Sequence, residues 1–285
     1  MPVRVPTHER SPRSGAVVGI DVGGTKIAGG LVDPGSGDVA RELTWRTPVE
    51  RGGGEVLQLC VAMASELATR DVSAIGVGFC ELVDLNGRPR SAFTVDWRDL
   101  DVEGAFSAIG PVTLESDVRA AGLAEARFGA GTRFREFVYL SVGTGISYSL
   151  MIDGSPRRGS RGNAIMVGAP PVELVAGGAG IQRIAGVERA EQIFDDGTHE
   201  GVVAEAAAAL GLALAALVNA LDPEAVVVGG GLGLHDAYRD LVVMAAREAI
   251  EAEDTRDLPI VPAELGSRGG LIGAALAAAD GRIDS

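Results

Sequence analysis

The chain has 285 residues, of which 46% are hydrophobic and 22% charged, a composition typical of folded globular proteins. Acidic residues outnumber basic ones by 39 to 25, and a net charge of −14 argues against a nucleic-acid or acidic-membrane surface, which needs a positive field. Cys60 and Cys80 are too few for a disulfide framework or a cysteine zinc site. We therefore expect a reducing, cytoplasmic location.

Segment 1–15 is polar and has no apolar stretch, which predicts a flexible tail rather than a signal peptide. Strand patterns then alternate with helical ones. We expect an amphipathic helix over 55–70, a buried strand over 73–81, and a short strand over 111–115 that leads into a helix over 117–128. This alternation predicts a mixed α/β fold.

The second half of the chain continues the alternation. A long helix is expected over 201–221, followed by a strand over 225–228 and a glycine-rich turn. Residues 269–278 (GGLIGAALAA) predict a helix of small residues, suited to lying between two domains. The longest apolar run, 206–218, is shorter than the ~20 residues that a membrane-spanning helix needs, so we interpret it as a core helix and expect no membrane partner.

A repeat links two glycine-rich segments. Val17–Asp33 (VVGIDVGGTKIAGGLVD) and Phe137–Asp153 (FVYLSVGTGISYSLMID) each have an apolar run, a short turn of Gly and Thr, a second β-rich run and a closing Asp, aligned without a gap. Each turn can present N–H groups to an anion, because glycine permits positive φ and close approach. Two ordinary hairpins are the alternative, but the gapless repeat favours a duplicated domain whose turns grip a chain of phosphates across a cleft.

The turns carry groups that suit phosphate binding. In DVGGTK, Asp21–Lys26, backbone amides and the Thr hydroxyl can hold a terminal phosphate, and Asp21 can hold magnesium directly or through water. The turn VGTG adds amides and a hydroxyl without charge. The run GGGLG lets a base or ribose approach the backbone, with a plain loop as the alternative. The predicted ATP- and phosphate-binding residues are Asp21, Gly23, Gly24, Thr25, Lys26, Gly143, Thr144, Gly145, Gly229, Gly230 and Gly231.

Asp117 is the second acid of interest, because it opens a helix directly after a short strand. A helix N-cap is the simpler interpretation. Three phosphate-type loops on a duplicated α/β frame, however, indicate that a phosphoryl group moves, and the acceptor hydroxyl then needs one carboxylate to take its proton. We therefore predict Asp117 as the catalytic base.

The motifs DVGGTK, LESDVRAAGLAEARFGAG, LSVGTGI, ELVAGGAGI and VVVGGGLG occur in the order and approximate spacing of the bacterial ROK family of sugar kinases and sugar-sensing repressors. The chain resembles that family from about Val17 to Ala278. The resemblance implies an actin-like (ribonuclease H-like) ATPase fold of two α/β domains, with ATP and Mg²⁺ in the cleft between them. It also implies phosphorylation of a sugar hydroxyl, with Asp117 matching the family's catalytic base.

The same resemblance sets the expected domain organisation. A tail at 1–15 precedes an N-terminal domain at 16–116 plus 270–285 and a C-terminal domain at 117–269. The family's repressors carry an N-terminal helix-turn-helix domain, which fifteen tail residues cannot supply, so no nucleic-acid partner is expected. Family members are often dimers, and a homodimer follows here by analogy only.

Departures from the family concern the acceptor pocket. Family glucokinases have Asn-Asp where this chain has Ser116-Asp117, and Met166 and Ala169 stand at the Glu and His of their Glu-x-Gly-His segment. The family's cysteine zinc loop is missing, so no zinc is expected. Glu173 resembles the Glu that follows that loop, with a solvated acid at a helix start as the alternative.

The predicted acceptor is a small polyol other than glucose. Thr94 falls where the family often has a sugar-contacting Asn, and Asn163 is a substitute hydroxyl partner. The predicted substrate-binding residues are Ser116, Asp117, Asn163, Met166, Glu173 and Thr94. The acceptor pocket without a zinc loop resembles that of family members that phosphorylate C7-cyclitols (carbasugars) in secondary metabolism. A glucokinase or N-acylhexosamine kinase is the first alternative function, and a non-catalytic sugar or nucleotide sensor is the second. Polyphosphate is expected to be a poorer phosphoryl donor than ATP, because the chain is strongly acidic.

Overall fold

The computed structural model describes residues 15–70, 72–165, 170–194 and 198–281. The strands in these ranges are β1 (Val17–Val22), β2 (Lys26–Val32), β3 (Val39–Arg46), β4 (Ala74–Phe79), β5 (Val112–Ser116), β6 (Glu136–Val142), β7 (Ile146–Ile152), β8 (Ser155–Pro156), β9 (Ala225–Gly229) and β10 (Ile260–Pro262). The α-helices are α1 (Gly53–Leu67), α2 (Val102–Phe106), α3 (Asp117–Phe128), α4 (Pro170–Ala176), α5 (Gly178–Ala185), α6 (Glu200–Leu221), α7 (Asp236–Ala249) and α8 (Gly269–Asp280). The chain divides into two compact units.

Among the described residues, the first unit contains those up to 128, the segment 158–164 and those from 268 to 281. Its sheet has the order β3-β2-β1-β4-β5, in which β1 and β2 form an antiparallel hairpin and β1, β4 and β5 run in parallel. Helix α1 packs apolar side chains against this sheet. Trp97 completes that core: its ring stacks on Phe79 with 4.2 Å between centroids, and its Nε1 donates to the carbonyl of Gly53 at 2.9 Å.

Helix α8 lies against β1 and β4 at very short range, which explains its small residues. A Cβ on Gly19 would overlap the carbonyl oxygen of Leu271, and a Cβ on Gly76 would overlap that of Ala274. A Cβ on Gly273 would in turn overlap the backbone of α3. Glycine at these positions therefore permits a three-layer contact within the first unit.

The division into units differs from the boundary expected after residue 116. Helix α3 belongs to the first unit because it packs against α8, so this unit continues to residue 128. The short segment 158–164 also belongs to the first unit. The sequence offered no signal for that segment, because its contacts are made with residues distant along the chain.

The second unit contains residues 129–157 and 165–267. Its sheet has the order β10-β9-β6-β7-β8, with β6 and β7 as an antiparallel hairpin and β6, β9 and β10 in parallel. Each unit thus holds a hairpin, as the sequence repeat predicts, and the first strand of each hairpin also pairs in parallel with a later strand. The mixed α/β fold in two units is confirmed.

Helix α6 forms the core of the second unit together with α7. By length and composition alone α6 is apolar enough to cross a membrane, yet Val203, Leu210 and Leu214 are buried in the core cluster beneath the sheet. A Cβ on Gly211 would lie 2.5 Å from the Cβ of Ala245, so the two helices cross closely at this glycine. The expected core helix is confirmed, one residue longer than predicted at its start.

Candidate active site

Two acidic side chains meet where parallel strands of the first unit end. Asp21 on β1 pairs with Gly78 on β4, and Asp117 begins α3 directly after β5. A Cβ on Gly78 would lie 3.6 Å from the Cα of Asp117, so this glycine separates the two acids without filling the space between them. The predicted base and the predicted magnesium ligand are therefore neighbours.

The surroundings of these acids favour their neutral forms. Burial raises the pKa of Asp117 to about 7, and the negative charge of Asp21 adds to the rise, against the amide of Val118, which donates to Oδ1 of Asp117 at 2.7 Å. Burial also raises the pKa of Asp21 to about 6, against the attraction of Lys26. A carboxyl group with a pKa near neutrality is suited to accept a proton from a substrate.

Asp21 fits a magnesium ligand. Its carboxylate receives no hydrogen bond from the described residues, and a Cβ on Gly270 at the start of α8 would lie 2.5 Å from its Cγ. Magnesium in nucleotide sites uses one or two protein carboxylates together with phosphate oxygens, so one unengaged carboxylate beside a phosphate-type turn is sufficient. Within the described ranges, no group of three or more His, Cys, Asp or Glu side chains is arranged to hold a metal ion by itself.

The first glycine turn is held from one side by a threonine. The amide of Gly23 donates to the carbonyl of Lys26 at 3.0 Å, which closes the turn. The Thr47 hydroxyl donates to the carbonyl of Gly23 at 2.7 Å, and the Thr47 amide donates to the carbonyl of Thr25 at 3.0 Å. Thr25 and Lys26 are exposed, so both predicted phosphate-binding side chains are accessible.

The predicted acceptor residues are only partly brought together. Ser116 is fully buried, and its hydroxyl forms no hydrogen bond of normal geometry with the described residues, although it lies close enough to the Asp117 carboxyl to act against the rise of that group's pKa. Thr94 is exposed beside the first turn, since a Cβ on Gly24 would lie 3.0 Å from its Cγ2. Asn163 is exposed in the segment that belongs to the first unit. Met166 lies outside the described residues.

Sequence reasoning missed a buried ion pair around the first turn of α3. Arg119 is 0% exposed, and its Nε lies 2.7 Å from Glu115 Oε1. Its other nitrogens donate to the carbonyls of Gly162 and Val83 at 2.7 and 2.8 Å, and Arg158 pairs with Glu115 Oε2 at 2.5 Å. Glu115 ends the predicted strand and Arg119 lies in the predicted helix, so the pair had no helical-spacing signal, and the carbonyl partners are distant in sequence.

Glu81 was also missed. It follows β4, is 2% exposed, and accepts hydrogen bonds from four donors of one loop. Its negative charge also contributes to the raised pKa of Asp117. The donors are the hydroxyl of Ser91 and the amides of Phe93, Thr94 and Val95. No local periodicity signals such a contact, because the donors follow Glu81 by ten or more residues in an irregular loop.

In the second unit, the turn between β6 and β7 lies against the start of α5. The amide of Gly178 donates to the carbonyl of Gly143 at 2.8 Å, and the amide of Ala179 donates to that of Thr144 at 3.0 Å. A Cβ on Gly178 would lie 2.8 Å from the carbonyl oxygen of Gly143, so only glycine permits this approach. Backbone contacts therefore hold the second predicted phosphate turn against the start of α5.

The third glycine segment joins the second. The amides of Leu232 and Gly233 donate to the carbonyl of Val142 at 3.0 and 3.1 Å. Gly230 has φ +83°, and a Cβ there would overlap the backbone of Val142. The structure thus brings together the two segments predicted for phosphate and adenosine. It also places Glu173 here, since a Cβ on Gly145 would lie 2.5 Å from its Oε1, whereas the other described acceptor candidates belong to the first unit.

Comparison with known proteins gives consistent matches. The ROK family sequence profile matches residues 17–182 and 172–280. A glucokinase of Streptomyces coelicolor is 29% identical, covering 92% of this chain and 96% of its own length. The bifunctional enzyme NanE/NanK of Brucella melitensis is 30% identical over 92% of this chain and 54% of that protein. The crystal structure of a ROK family glucokinase from Streptomyces griseus in complex with glucose and AMPPNP has a TM-score of 0.83 at 26% identity, covering 93% of this chain and 100% of that one. The expected actin-like sugar-kinase fold is confirmed.

Proposed function

This chain belongs to the ROK family, and on that premise we propose that it transfers the terminal phosphoryl group of ATP to a hydroxyl group of a sugar-like polyol. The observation that carries the proposal is the position of Asp117, beside Asp21 and with a pKa raised to about 7. The AMPPNP complex of the Streptomyces griseus relative supports ATP as the donor.

The reaction uses Asp117 as the general base. Its carboxylate takes the proton of the acceptor hydroxyl while the acceptor oxygen bonds to the γ-phosphorus of ATP. The bond from that phosphorus to the bridging β–γ oxygen breaks, and ADP leaves with the electron pair. A general base of this kind contributes typically ~10²–10⁴-fold to the rate.

Charge on the phosphates is held mainly by backbone groups. The amides of Gly23 and Gly143 close their own turns, so Gly24 and Thr25 in the first unit and Thr144 and Gly145 in the second offer N–H groups to phosphate oxygens. Lys26 adds a positive charge. Asp21 would hold Mg²⁺, which when bound neutralises charge on the phosphate oxygens. Gly229–Gly231 allow the adenosine to approach the backbone.

The acceptor is a ring polyol other than glucose, such as a C7-cyclitol. Support comes from Ser116, which stands where family glucokinases have Asn and whose buried hydroxyl lies beside Asp117 without a hydrogen bond of normal geometry to the described residues. A glucose hydroxyl placed for the longer Asn would be left unpaired, at a cost of ~1–3 kcal/mol. Such a loss lowers kcat/KM by roughly one to two powers of ten.

The test compares kcat/KM for glucose, mannose, N-acetylmannosamine and the carbasugar valiolone at saturating ATP. We expect valiolone to exceed glucose by at least about tenfold. Ser116→Ala, which removes only the hydroxyl, should raise the KM for the best acceptor and leave the KM for ATP unchanged. Glucose or N-acetylmannosamine as the best acceptor would replace the cyclitol with one of those substrates. Binding without turnover would favour a non-catalytic sensor.

A further inference from the structure

The loop Ser91–Val95 is fastened to a single buried carboxylate. Glu81 receives hydrogen bonds from the Ser91 hydroxyl at 2.5 Å, the Phe93 amide at 2.8 Å and the Val95 amide at 2.9 Å, and also from the amide of Thr94. No Lys or Arg among the described residues forms an ion pair with Glu81. A buried charge is costly unless it is hydrogen-bonded, so this loop conformation is the one that satisfies it.

The fastened loop lies beside the groups assigned to catalysis. Thr94 approaches Gly24 of the first turn, with its Cγ2 3.0 Å from where a Cβ of Gly24 would stand. The charge of Glu81 acts on Asp117, which places the root of the loop near the base. Phe93 is 75% exposed although its backbone is fixed, which is the highest exposed fraction among the large hydrophobic side chains of the described residues.

We propose that Glu81 is a positioning residue for acceptor binding, fixing the loop so that Thr94 and the exposed ring of Phe93 form one wall of the acceptor site. The inference rests on the proposed kinase function and deepens it. Thr94 offers a hydroxyl to a polar edge of the acceptor, while Phe93 offers a flat apolar face. The acceptor class that such a wall suits is a ring polyol with one face of C–H groups, which packs against an aromatic ring.

The test is Glu81→Gln. This change keeps the size of the side chain but replaces one acceptor oxygen with an NH₂ group that faces backbone N–H donors, so the loop loses at least one partner. We expect the KM for the acceptor to rise about tenfold, with kcat and the KM for ATP within about twofold of the wild type. Hydrogen exchange of the 91–97 amides, measured without substrate, should accelerate.

Asp101→Asn is the matched control. The Asp101 carboxylate also accepts a backbone amide, that of Gly104 at 2.8 Å, but it caps α2 and has no hydrogen bond to Ser91–Val95 among the described residues. It should leave the KM for the acceptor unchanged. Ser91→Ala removes one of the four donors to Glu81, together with the acceptor of the Leu82 amide. It should shift the KM for the acceptor and the exchange rate in the same direction as Glu81→Gln by a smaller amount, which keeps the inference testable if Glu81→Gln fails to fold.

The outcomes separate this inference from the proposed function. Faster exchange with an unchanged KM for the acceptor would show that the loop is outside the acceptor site, and would overturn the inference while the kinase remains. Equal rises in both KM values would reduce Glu81 to a general structural role and also overturn it. If the wild type phosphorylates no acceptor, the kinase proposal fails, and calorimetric affinities for valiolone and glucose replace KM in the same comparison.

Discussion

The two repeated hairpins share a backbone plan but differ in what surrounds their turns. The turn after β1 stands beside Asp21 and Asp117 and ends in exposed Thr25 and Lys26. The turn after β6 has no charged residue of its own and is enclosed by the start of α5 and the Gly229–Gly233 segment. The first turn therefore supplies ionisable side chains, whereas the second supplies backbone groups in a shape that glycine alone permits.

If the proposed function holds, the first turn would act through its side chains and the second through its backbone. A side-chain function is lost when the side chain changes, and it depends on pH. A backbone function is insensitive to charge but is disturbed when a methyl group forces the backbone apart. The first turn should therefore be sensitive to the loss of a carboxylate, and the second to an added Cβ.

The largest effect is expected for Asp117→Asn, which tests whether the chemistry resides in the first unit. The substitution removes the proton acceptor and keeps the shape of the side chain, so kcat should fall ~10²–10⁴-fold while the KM for ATP changes little. Steady-state kinetics with the best acceptor measure this. Asp99→Asn, at an exposed carboxylate, is the control. A wild-type kcat in the variant would mean that Asp117 serves only the start of α3.

A smaller effect is expected for Gly178→Ala, which tests the backbone role of the second turn. The new Cβ would lie 2.8 Å from the carbonyl of Gly143, so the turn must move. We expect the KM for ATP to rise about tenfold, equivalent to ~1.4 kcal/mol, with the KM for the acceptor unchanged. In Gly201→Ala the Cβ meets no atom within 4 Å, and both constants should stay at wild-type values. An equal rise in the KM for ATP and the KM for the acceptor in Gly178→Ala would contradict a role of the second turn in ATP binding alone.

The smallest effect concerns stability. Folding raises the pKa of Asp117 from its ordinary 3.8 to about 7, so between these values the folded chain holds more protons than the unfolded one. The wild type therefore loses stability as pH rises through this window, whereas an Asn at the position does not. Asp117→Asn should raise Tm by a few degrees at pH 8 and by less at pH 5.

Asp153→Asn is the control for this stability measurement, because folding lowers the pKa of Asp153 whereas it raises that of Asp117. Arg135 lies 2.6 Å from Oδ1 of Asp153 and lowers its pKa, so the charged form is the one that folding favours. Removing that charge should leave Tm unchanged or slightly lower at pH 8, because the pair is exposed. A fall in Tm for Asp117→Asn at pH 8 would show that its carboxylate stabilises the fold.

The sequence predicts the elements well where local signals coincide. Helix α3 has the expected bounds, because a strand, an acid at the helix start and Gly129 at its end all agree. Helix α1 begins two residues earlier and ends three residues earlier than the expected 55–70, since its start lies in a glycine pair and its last turn lacks a stop signal. Helix α2 escaped notice because its five residues are too few for a periodic pattern.

The site was predictable only as far as motifs reach. Asp21 and Asp117 stand in recognisable segments, and the structure places them together. Glu81 and Arg119 form hydrogen bonds with backbone groups that are distant in sequence. Every residue has such backbone groups, so the amino-acid sequence does not show which of them will be the partners. The roles of Thr94 and Asn163 stay predictions, since the structure shows their exposure without a ligand-binding contact.

The position of α8 has a consequence for synthesis on the ribosome. Gly19 of β1 and Gly76 of β4 allow close packing of a helix that begins at residue 269. The ribosome therefore translates most of the second unit before the helix that covers the first sheet is made. At ~5–20 residues per second, that interval is on the order of ten seconds. During it, Gly19 and Gly76 leave a strip of bare backbone uncovered. Until α8 is made, the face of the first sheet formed by β1 and β4 therefore lacks the helix that packs on it.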